Sequence, residues 1–144
     1  MNIYDMFMFP LEKMFLTSLR RKLIPKSRGD VLEIGAGTGV NFKYYKRELV
    51  SEVTIVDKEL NKIAENRALN NMKFQKADAV SLLFEDNSFD TVVETLLLCS
   101  VDAEGRAVEE IHRVLKPDGL FIHIDHRLPS RRVLKGIFNF LAPA

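Results

Sequence analysis

A short apolar segment leads directly into three glycines at alternate positions, and this junction most restricts the fold of the chain. Residues 31–34 have the β-branched and aliphatic character of a buried strand, and Gly35, Gly37 and Gly39 follow them. Glycine permits a tight turn and a close approach of the backbone to a ligand. A helix predicted over residues 39–49 would then direct free backbone N–H groups at an anionic group. The pattern predicts a strand–loop–helix unit that binds a ligand at its loop.

Segments of strand and helix character alternate along the rest of the chain. This alternation implies βαβ units and a mainly parallel sheet with helices on both faces. Right-handed crossovers then give a Rossmann-like, doubly wound α/β domain of about five strands. The four further strands are predicted over residues 53–57, 72–77, 89–94 and 120–125. The prediction is one domain over residues 1–144, with an N-terminal helical cap at 1–29, a cofactor-binding core at 30–126 and a C-terminal helix at 127–144.

Length and charge exclude several classes of protein. The 144 residues suit one compact domain, and the single cysteine, Cys99, cannot form an internal disulfide. A net charge of +1 gives no general attraction to nucleic acid. No apolar run approaches the roughly 18 residues of a membrane span, and the N-terminus lacks the basic region of a signal peptide. We therefore expect a cytoplasmic protein, with a peripheral membrane contact beside Arg20, Arg21 and Lys22 as an alternative to a solvated face.

An acidic residue ends the second predicted strand. Asp57 lies 22 residues after Gly35, where a carboxylate can accept hydrogen bonds from both hydroxyls of a ribose. The alternative is an N-cap for the helix that follows. The dinucleotide fingerprint G-x-G-x-x-G/A is not completed, because its sixth position is Val40. An NAD-dependent oxidoreductase is therefore the less favoured interpretation, and the chain leaves little room for a substrate domain.

The glycine loop reads E-x-G-x-G-x-G from Glu33 to Gly39 and resembles the first motif of class I S-adenosylmethionine-dependent methyltransferases. Residues 83–90 are similar to the family's L-P-F-x-D-x-S-F-D stretch, with leucine where proline is usual, and residues 110–119 are similar to E-x-x-R-V-L-K-P-G-G. The resemblance covers residues 30–126 and indicates the type 11 methyltransferase-like branch, which acts mostly on small and lipid-like molecules. Residues 94–101 also resemble a subgroup of quinone-, phospholipid- and thiol-methylating enzymes.

The resemblance implies S-adenosyl-L-methionine as the cofactor and S-adenosyl-L-homocysteine as the product. Glu33 would lie beneath the methionine end, Asp57 would bind the ribose, and Asp78 with the following N–H would meet the adenine. An ordinary turn aspartate is the alternative for Asp78, and packing against the sheet is the alternative for Tyr4. The implied cofactor-binding residues are Tyr4, Glu33, Gly35, Ala36, Gly37, Gly39, Asp57, Lys58, Asp78, Ala79, Glu94 and Thr95.

The family's chemistry is an in-line displacement, in which the protein aligns the reacting atoms and excludes water. A general base is needed only for an acceptor that is protonated at the working pH. His126, just past the fifth predicted strand, is the candidate base, and a polar loop histidine is the alternative. His123 and Cys99 are expected to be structural, and no Cys/His spacing fits a metal site. The fourth strand lacks the [D/N]-P-P-[Y/F] motif of base-methylating enzymes, which favours a small, apolar acceptor.

The family's sheet usually has seven strands, with an antiparallel hairpin after the fifth. Only 19 residues follow Asp125, so we predict that this hairpin is absent and that the fifth strand lies at the sheet edge. An exposed edge favours a homodimer through this strand or the C-terminal end. The alternative to an active methyltransferase is therefore a protein with little catalytic activity. Such a protein would bind S-adenosylmethionine or act as an interaction protein.

Overall fold

The structure, a computed structural model, describes residues 3–98 and 101–125. These residues form three α-helices and a five-stranded sheet. The helices are α1 (Ile3–Leu23), α2 (Lys62–Arg67) and α3 (Glu104–Val114), and the strands are β1 (Gly29–Ile34), β2 (Val50–Asp57), β3 (Met72–Lys76), β4 (Phe89–Thr95) and β5 (Leu115–Ile124). Cys99, His126 and the helix predicted over residues 127–144 lie outside the described residues. In the part of the chain that is described, no helix is long and apolar enough to span a bilayer.

The strands lie in the order β3-β2-β1-β4-β5, and every neighbouring pair is parallel. This order confirms the predicted Rossmann-like, doubly wound sheet. β1 pairs with β2 on one side and with β4 on the other, so the strand order reverses beside β1. A crevice forms at the carboxyl ends of the strands at such a reversal, and ligands bind there in open α/β sheets.

Successive side chains of β1 lie on opposite faces of the sheet and pack in two separate apolar cores. Leu32 and Ile34 belong to one core, together with Ile111 of α3. Val31 belongs to the other core, together with Leu16 of α1. Burial on both faces explains why the strand reads as a continuous apolar run rather than as an alternating one. Each fully buried aliphatic side chain contributes about 1.5–3 kcal/mol to folding.

The helix predicted over residues 39–49 is wrong. The chain instead turns after the glycines and forms a 3-10 helix, Phe42–Tyr44, which ends at Tyr45 in an extended conformation with φ −67° and ψ 134°. The side chains of Asn41 and Tyr45 both reach back to hydrogen bond with Glu33 at the end of β1. These contacts draw the segment under the loop, so the predicted helix dipole does not contribute to ligand binding.

The boundary between α3 and β5 also differs from the prediction. The sequence predicts a helix up to Pro117 and a strand from residue 120, but α3 ends at Val114 and β5 begins at Leu115. Leu115 pairs with Phe89 of β4, and the register then shifts before residue 120. The irregularity accommodates Pro117, which has no N–H to donate to a regular ladder.

Candidate functional site

A cavity of about 320 Å³ lies at the carboxyl ends of β1 and β2, beside the reversal of strand order. Its wall includes five residues that the sequence assigns to the cofactor: Gly35, Asp57, Lys58, Asp78 and Ala79. These residues come from the carboxyl ends of β1 and β2 and from the segment after β3, and the fold brings them together. The size is within the range of small-molecule sites, roughly 300–1,000 Å³.

The glycine loop adopts a backbone that only glycine accommodates without strain. Gly35, Gly37 and Gly39 have φ values of +71°, +57° and +79°. The Gly35 N–H donates to the Val56 carbonyl at 2.8 Å, which ties the loop to the end of β2. A Cβ atom at Gly35 would lie 2.8 Å from Cδ1 of Leu97, another residue of the cavity wall. The first glycine therefore permits both the turn and the close approach of the loop after β4.

Asp57 lies at the end of β2 with its side chain half-buried in the cavity wall. Within the described residues its carboxylate has no side-chain hydrogen bond or ion pair, so both oxygens remain available to a ligand. The N-cap interpretation is wrong, because Asn61 caps α2 by accepting the Ile63 N–H at 2.8 Å. Its two oxygens can accept hydrogen bonds from a pair of vicinal hydroxyls.

Asp78 is held as an ionised acceptor. One carboxylate oxygen accepts the Val80 N–H at 3.1 Å, and the other pairs with Nζ of Lys58 at 3.2 Å. The Val80 hydrogen bond and then Lys58 hold the pKa of Asp78 below its ordinary value, although burial acts in the opposite direction. The Lys58 side chain is 69% exposed, so this ion pair organises the site and adds at most about 1 kcal/mol to stability. Asp78 therefore shapes its own turn and also faces the cavity.

Glu33 lies on the opposite face of the sheet, toward α1, in a network beneath the glycine loop. Its side chain accepts hydrogen bonds from Asn41 at 2.9 Å and from the Tyr45 hydroxyl at 2.6 Å. Asn41 also donates to Thr95 at 3.0 Å and accepts from Arg20 of α1 at 3.1 Å. Burial raises the pKa of Glu33 to about 7 against the opposing effects of Tyr45, Asn41 and Arg20. Glu33 and Thr95 thus support the loop, and neither is part of the cavity wall.

Glu94 is buried at the end of β4, on the face that packs against α3. One of its carboxylate oxygens accepts the N–H groups of Leu97 at 2.6 Å and Leu98 at 2.9 Å, and the other pairs with Nδ1 of His123. The His123 ring stacks on Phe121, with a centroid separation of 5.8 Å. Strand alternation places His123 on this face but does not reveal its carboxylate partner. Glu94 therefore orders the loop after β4 and lies outside the cavity wall.

The sequence analysis missed a clamp that holds the segment after β3. Arg113 of α3 donates to the carbonyls of Leu82 at 3.0 Å and Phe84 at 2.7 Å, and it pairs with Glu110 at 2.7 Å. Glu110 in turn accepts the Leu82 N–H at 2.8 Å. The E-x-x-R spacing was the available signal, because residues three apart on a helix share one face. The clamp fixes the segment that carries Asp78.

Three residues of the predicted site stand apart from these contacts. The Ala36 carbonyl accepts the Gly39 N–H at 3.0 Å and closes the glycine turn. Tyr4 belongs to α1, and its cofactor role remains a prediction. The role of His126 as a base is likewise untested. Across residues 3–98 and 101–125, no group of three or more His, Cys, Asp or Glu side chains is arranged to hold a metal ion.

Comparison with known proteins gives a consistent family. The family described as "Methyltransferase domain" matches residues 32–123. Human thiol S-methyltransferase TMT1A is 36% identical over 132 residues, which cover 86% of this chain and 53% of that protein. The human mitochondrial arginine-hydroxylase NDUFAF5 is 38% identical over 106 residues, covering 69% of this chain and 29% of that protein.

A solved structure supports the same relationship. The crystal structure of YcgJ from Bacillus subtilis superposes with a TM-score of 0.66 and 32% identity, over 88% of this chain and 56% of that one. The chain thus spans about half the length of TMT1A and of YcgJ, and less of NDUFAF5.

Proposed function

This chain belongs to the class I S-adenosylmethionine-dependent methyltransferase family, and we propose that it transfers a methyl group to a small, apolar or lipid-like acceptor. The family uses S-adenosyl-L-methionine as its methyl donor. One observation carries the proposal: Gly35 at the start of the glycine loop, the unengaged Asp57 carboxylate and the Asp78 turn line a single cavity of about 320 Å³, whereas Gly37 and Gly39 lie outside its wall. Each element matches a different part of the cofactor.

The residues present fit this cofactor. The Asp57 carboxylate can accept hydrogen bonds from both ribose hydroxyls. Asp78, kept ionised by Val80 and Lys58, can accept from an exocyclic amine on adenine. Gly35 lies in the cavity wall and presents only backbone there, so the methionine portion of the cofactor can approach it closely. When bound, S-adenosylmethionine supplies an electrophilic methyl group on a sulfonium sulfur.

The acceptor class follows from the character of the cavity and from the relatives. Leu97, Val101 and Ala103 are apolar residues of the wall after β4, where Asp102 is the one charged residue among those described, and this composition supports an apolar acceptor. The name of TMT1A makes a thiol the first acceptor to test. A thiol with a pKa of about 8.5 is partly ionised near neutral pH, so it needs little help from a general base. For a less acidic acceptor, His126 is the proposed base, and the protein aligns the nucleophile opposite the sulfur in an in-line displacement.

A methyl-transfer assay tests the proposal. The purified chain is incubated with methyl-labelled S-adenosylmethionine and a panel of thiols, phenols and quinols. We expect labelled product from at least one apolar thiol. Asp57→Asn should raise the KM for the cofactor about tenfold, the cost of weakening one charge-assisted hydrogen-bonding group. Glu59→Gln, a nearby exposed residue that pairs with Lys76, is the matched control and should leave the KM unchanged.

A second candidate is a protein that binds S-adenosylmethionine but does not methylate. NDUFAF5 carries the name of an arginine-hydroxylase, so a relative of this chain is associated with another reaction, and fold alone does not fix chemistry. Binding of S-adenosylhomocysteine by calorimetry without turnover of any acceptor would favour this candidate. Tight binding of NAD without binding of S-adenosylhomocysteine would contradict both and favour an oxidoreductase.

We also propose that the chain forms a homodimer through β5 or the C-terminal end. Among the described strands, β5 pairs only with β4 and therefore lies at an edge of the sheet. The edge of a sheet can be extended by a strand from a second chain, which gives a symmetric dimer. Size-exclusion chromatography with light scattering should give twice the monomer mass of 16.5 kDa, and a monomer at every concentration would contradict the proposal.

A further inference from the structure

We propose that Glu94 and His123 form a positioning pair, which sets the shape of the cofactor cavity by holding Leu97 in place and does not itself touch the cofactor. The pair lies outside the cavity wall, whereas Leu97 is part of it. The inference rests on the proposed function only for the identity of the ligand used to test it.

The first link runs from Glu94 to the loop after β4. Its carboxylate accepts the N–H groups of Leu97 and Leu98 at 2.6 and 2.9 Å. The intervening Leu96 has φ +60°, a left-handed conformation that costs a leucine about 1–2 kcal/mol. A strained backbone of this kind persists only when its surroundings hold it. Here the two charge-assisted hydrogen bonds of Glu94 hold it, together with the hydrogen bond from the Leu96 N–H to the Ile124 carbonyl at 2.8 Å.

The second link runs from Leu97 to the glycine loop. The Leu97 side chain packs so closely on Gly35 that a Cβ atom there would lie 2.8 Å from Cδ1. Gly35 is itself tied to Val56 at 2.8 Å, directly before Asp57. A shift of the loop after β4 would therefore move the part of the cavity wall beside which the cofactor's methionine and ribose would lie.

The third link is the need of Glu94 for a cation. Glu94 is fully buried, and an ionised carboxylate in such a position requires a paired charge. His123 contacts it through Nδ1, and the other acids near this histidine are Asp125, directly after β5, and Glu104 on α3. Burial lowers the pKa of His123, but Glu94, Asp125 and Glu104 together raise it above its ordinary value. Protonated His123 thus neutralises Glu94, and its deprotonation leaves the buried carboxylate without a counter-charge.

The test measures binding of S-adenosylhomocysteine by calorimetry, so it needs no acceptor. Glu94→Gln and His123→Gln are the test variants, and Glu109→Gln, an exposed residue of α3, is the matched control. We expect Kd to rise at least fivefold in both test variants and to stay unchanged in the control. Circular dichroism establishes that each variant is folded at the assay temperature.

The pH profile of Kd separates a positioning role from a merely structural one. For the unmodified chain, Kd should rise at least threefold between about pH 6 and pH 9, as His123 loses its proton. The profile should be flatter in His123→Gln. A profile of the unmodified chain that does not rise with pH overturns the inference, whether or not the variants fold. Equal affinity of folded test variants and control also overturns it. Failure of the unmodified chain to bind S-adenosylhomocysteine at any pH would instead refute the proposed function.

Discussion

Replacing Glu33 with glutamine should stabilise the folded chain at alkaline pH. Burial raises the pKa of Glu33 from 4.5 to about 7, although Tyr45, Asn41 and Arg20 oppose the shift. Between these two values the folded chain holds a proton that the unfolded chain has released. The contribution of Glu33 to stability is therefore complete below pH 4.5 and is lost as the pH rises through about 7. This shift of the Glu33 pKa lowers the free energy of unfolding by about 3 kcal/mol at alkaline pH.

Glutamine can occupy the same position and keep both side-chain contacts, with the Tyr45 hydroxyl changed from donor to acceptor. Its carbonyl can accept the Asn41 amide hydrogen bond, now 2.9 Å long, and its amide group can donate to the Tyr45 hydroxyl oxygen. The substitution thus removes a carboxyl group whose ionisation destabilises the folded chain, and it keeps both contacts. Since the side-chain volume hardly changes, cavity formation does not enter the comparison.

Urea unfolding at pH 5 and pH 8 measures the effect. We expect the Glu33→Gln variant to be more stable than the unmodified chain by about 1 kcal/mol at pH 5 and by about 3 kcal/mol at pH 8. Glu52→Gln is the control, because Glu52 is an exposed residue of β2 that pairs with Lys73. If the variant retains the full pH dependence of the unmodified chain, or is the less stable of the two at pH 8, the reasoning about Glu33 is refuted.

Two further predictions concern the loops around the cavity. Gly35→Ala should cost more stability, and more affinity for S-adenosylhomocysteine, than Gly37→Ala: both have positive φ, but only Gly35 lies against Leu97. Equal losses, measured by thermal unfolding and calorimetry, would show that the Leu97 contact is unimportant. Arg113→Lys should destabilise the chain by about 2 kcal/mol in urea unfolding and raise Kd for S-adenosylhomocysteine, because lysine cannot reproduce the fork that holds Glu110 and two carbonyls. An unchanged Kd would mean that the clamp does not position the cofactor site.

The sheet and the cavity wall were largely predictable from the sequence. Five strands were expected in chain order, and the structure forms all five. The residues of the cavity wall could be predicted because parallel strands bring their carboxyl ends to one edge of the sheet. Residues such as Gly35, Asp57 and Asp78 must therefore lie close together there. Hydrophobic periodicity and turn-forming residues are local signals. They predict the structure of a segment correctly where its decisive contacts lie within a few residues along the chain.

The interpretations that failed depend on contacts between distant parts of the chain. Residues 39–49 carry no proline or internal glycine to oppose a helix, but Asn41 and Tyr45 hydrogen bond with the buried Glu33, and only the 3-10 helix Phe42–Tyr44 forms. The sequence likewise does not reveal that Glu94 pairs with His123, 29 positions further on. Period-two alternation assigns such residues to a face of the sheet but cannot name the group that they meet there.

The motifs that reveal the family mostly hold the backbone in place, which explains why they identify the cofactor fold and leave the acceptor open. Glu110 and Arg113 clamp the segment after β3. Asp90, in the S-F-D motif, accepts the Asp30 N–H at 2.8 Å and pairs with Lys116 at 3.0 Å, which joins β1, β4 and β5 at the end of the sheet away from the cavity. These side chains fix the frame on which any acceptor site would be built. For the proposed methyltransferase, selection among acceptors must therefore come from residues outside these motifs.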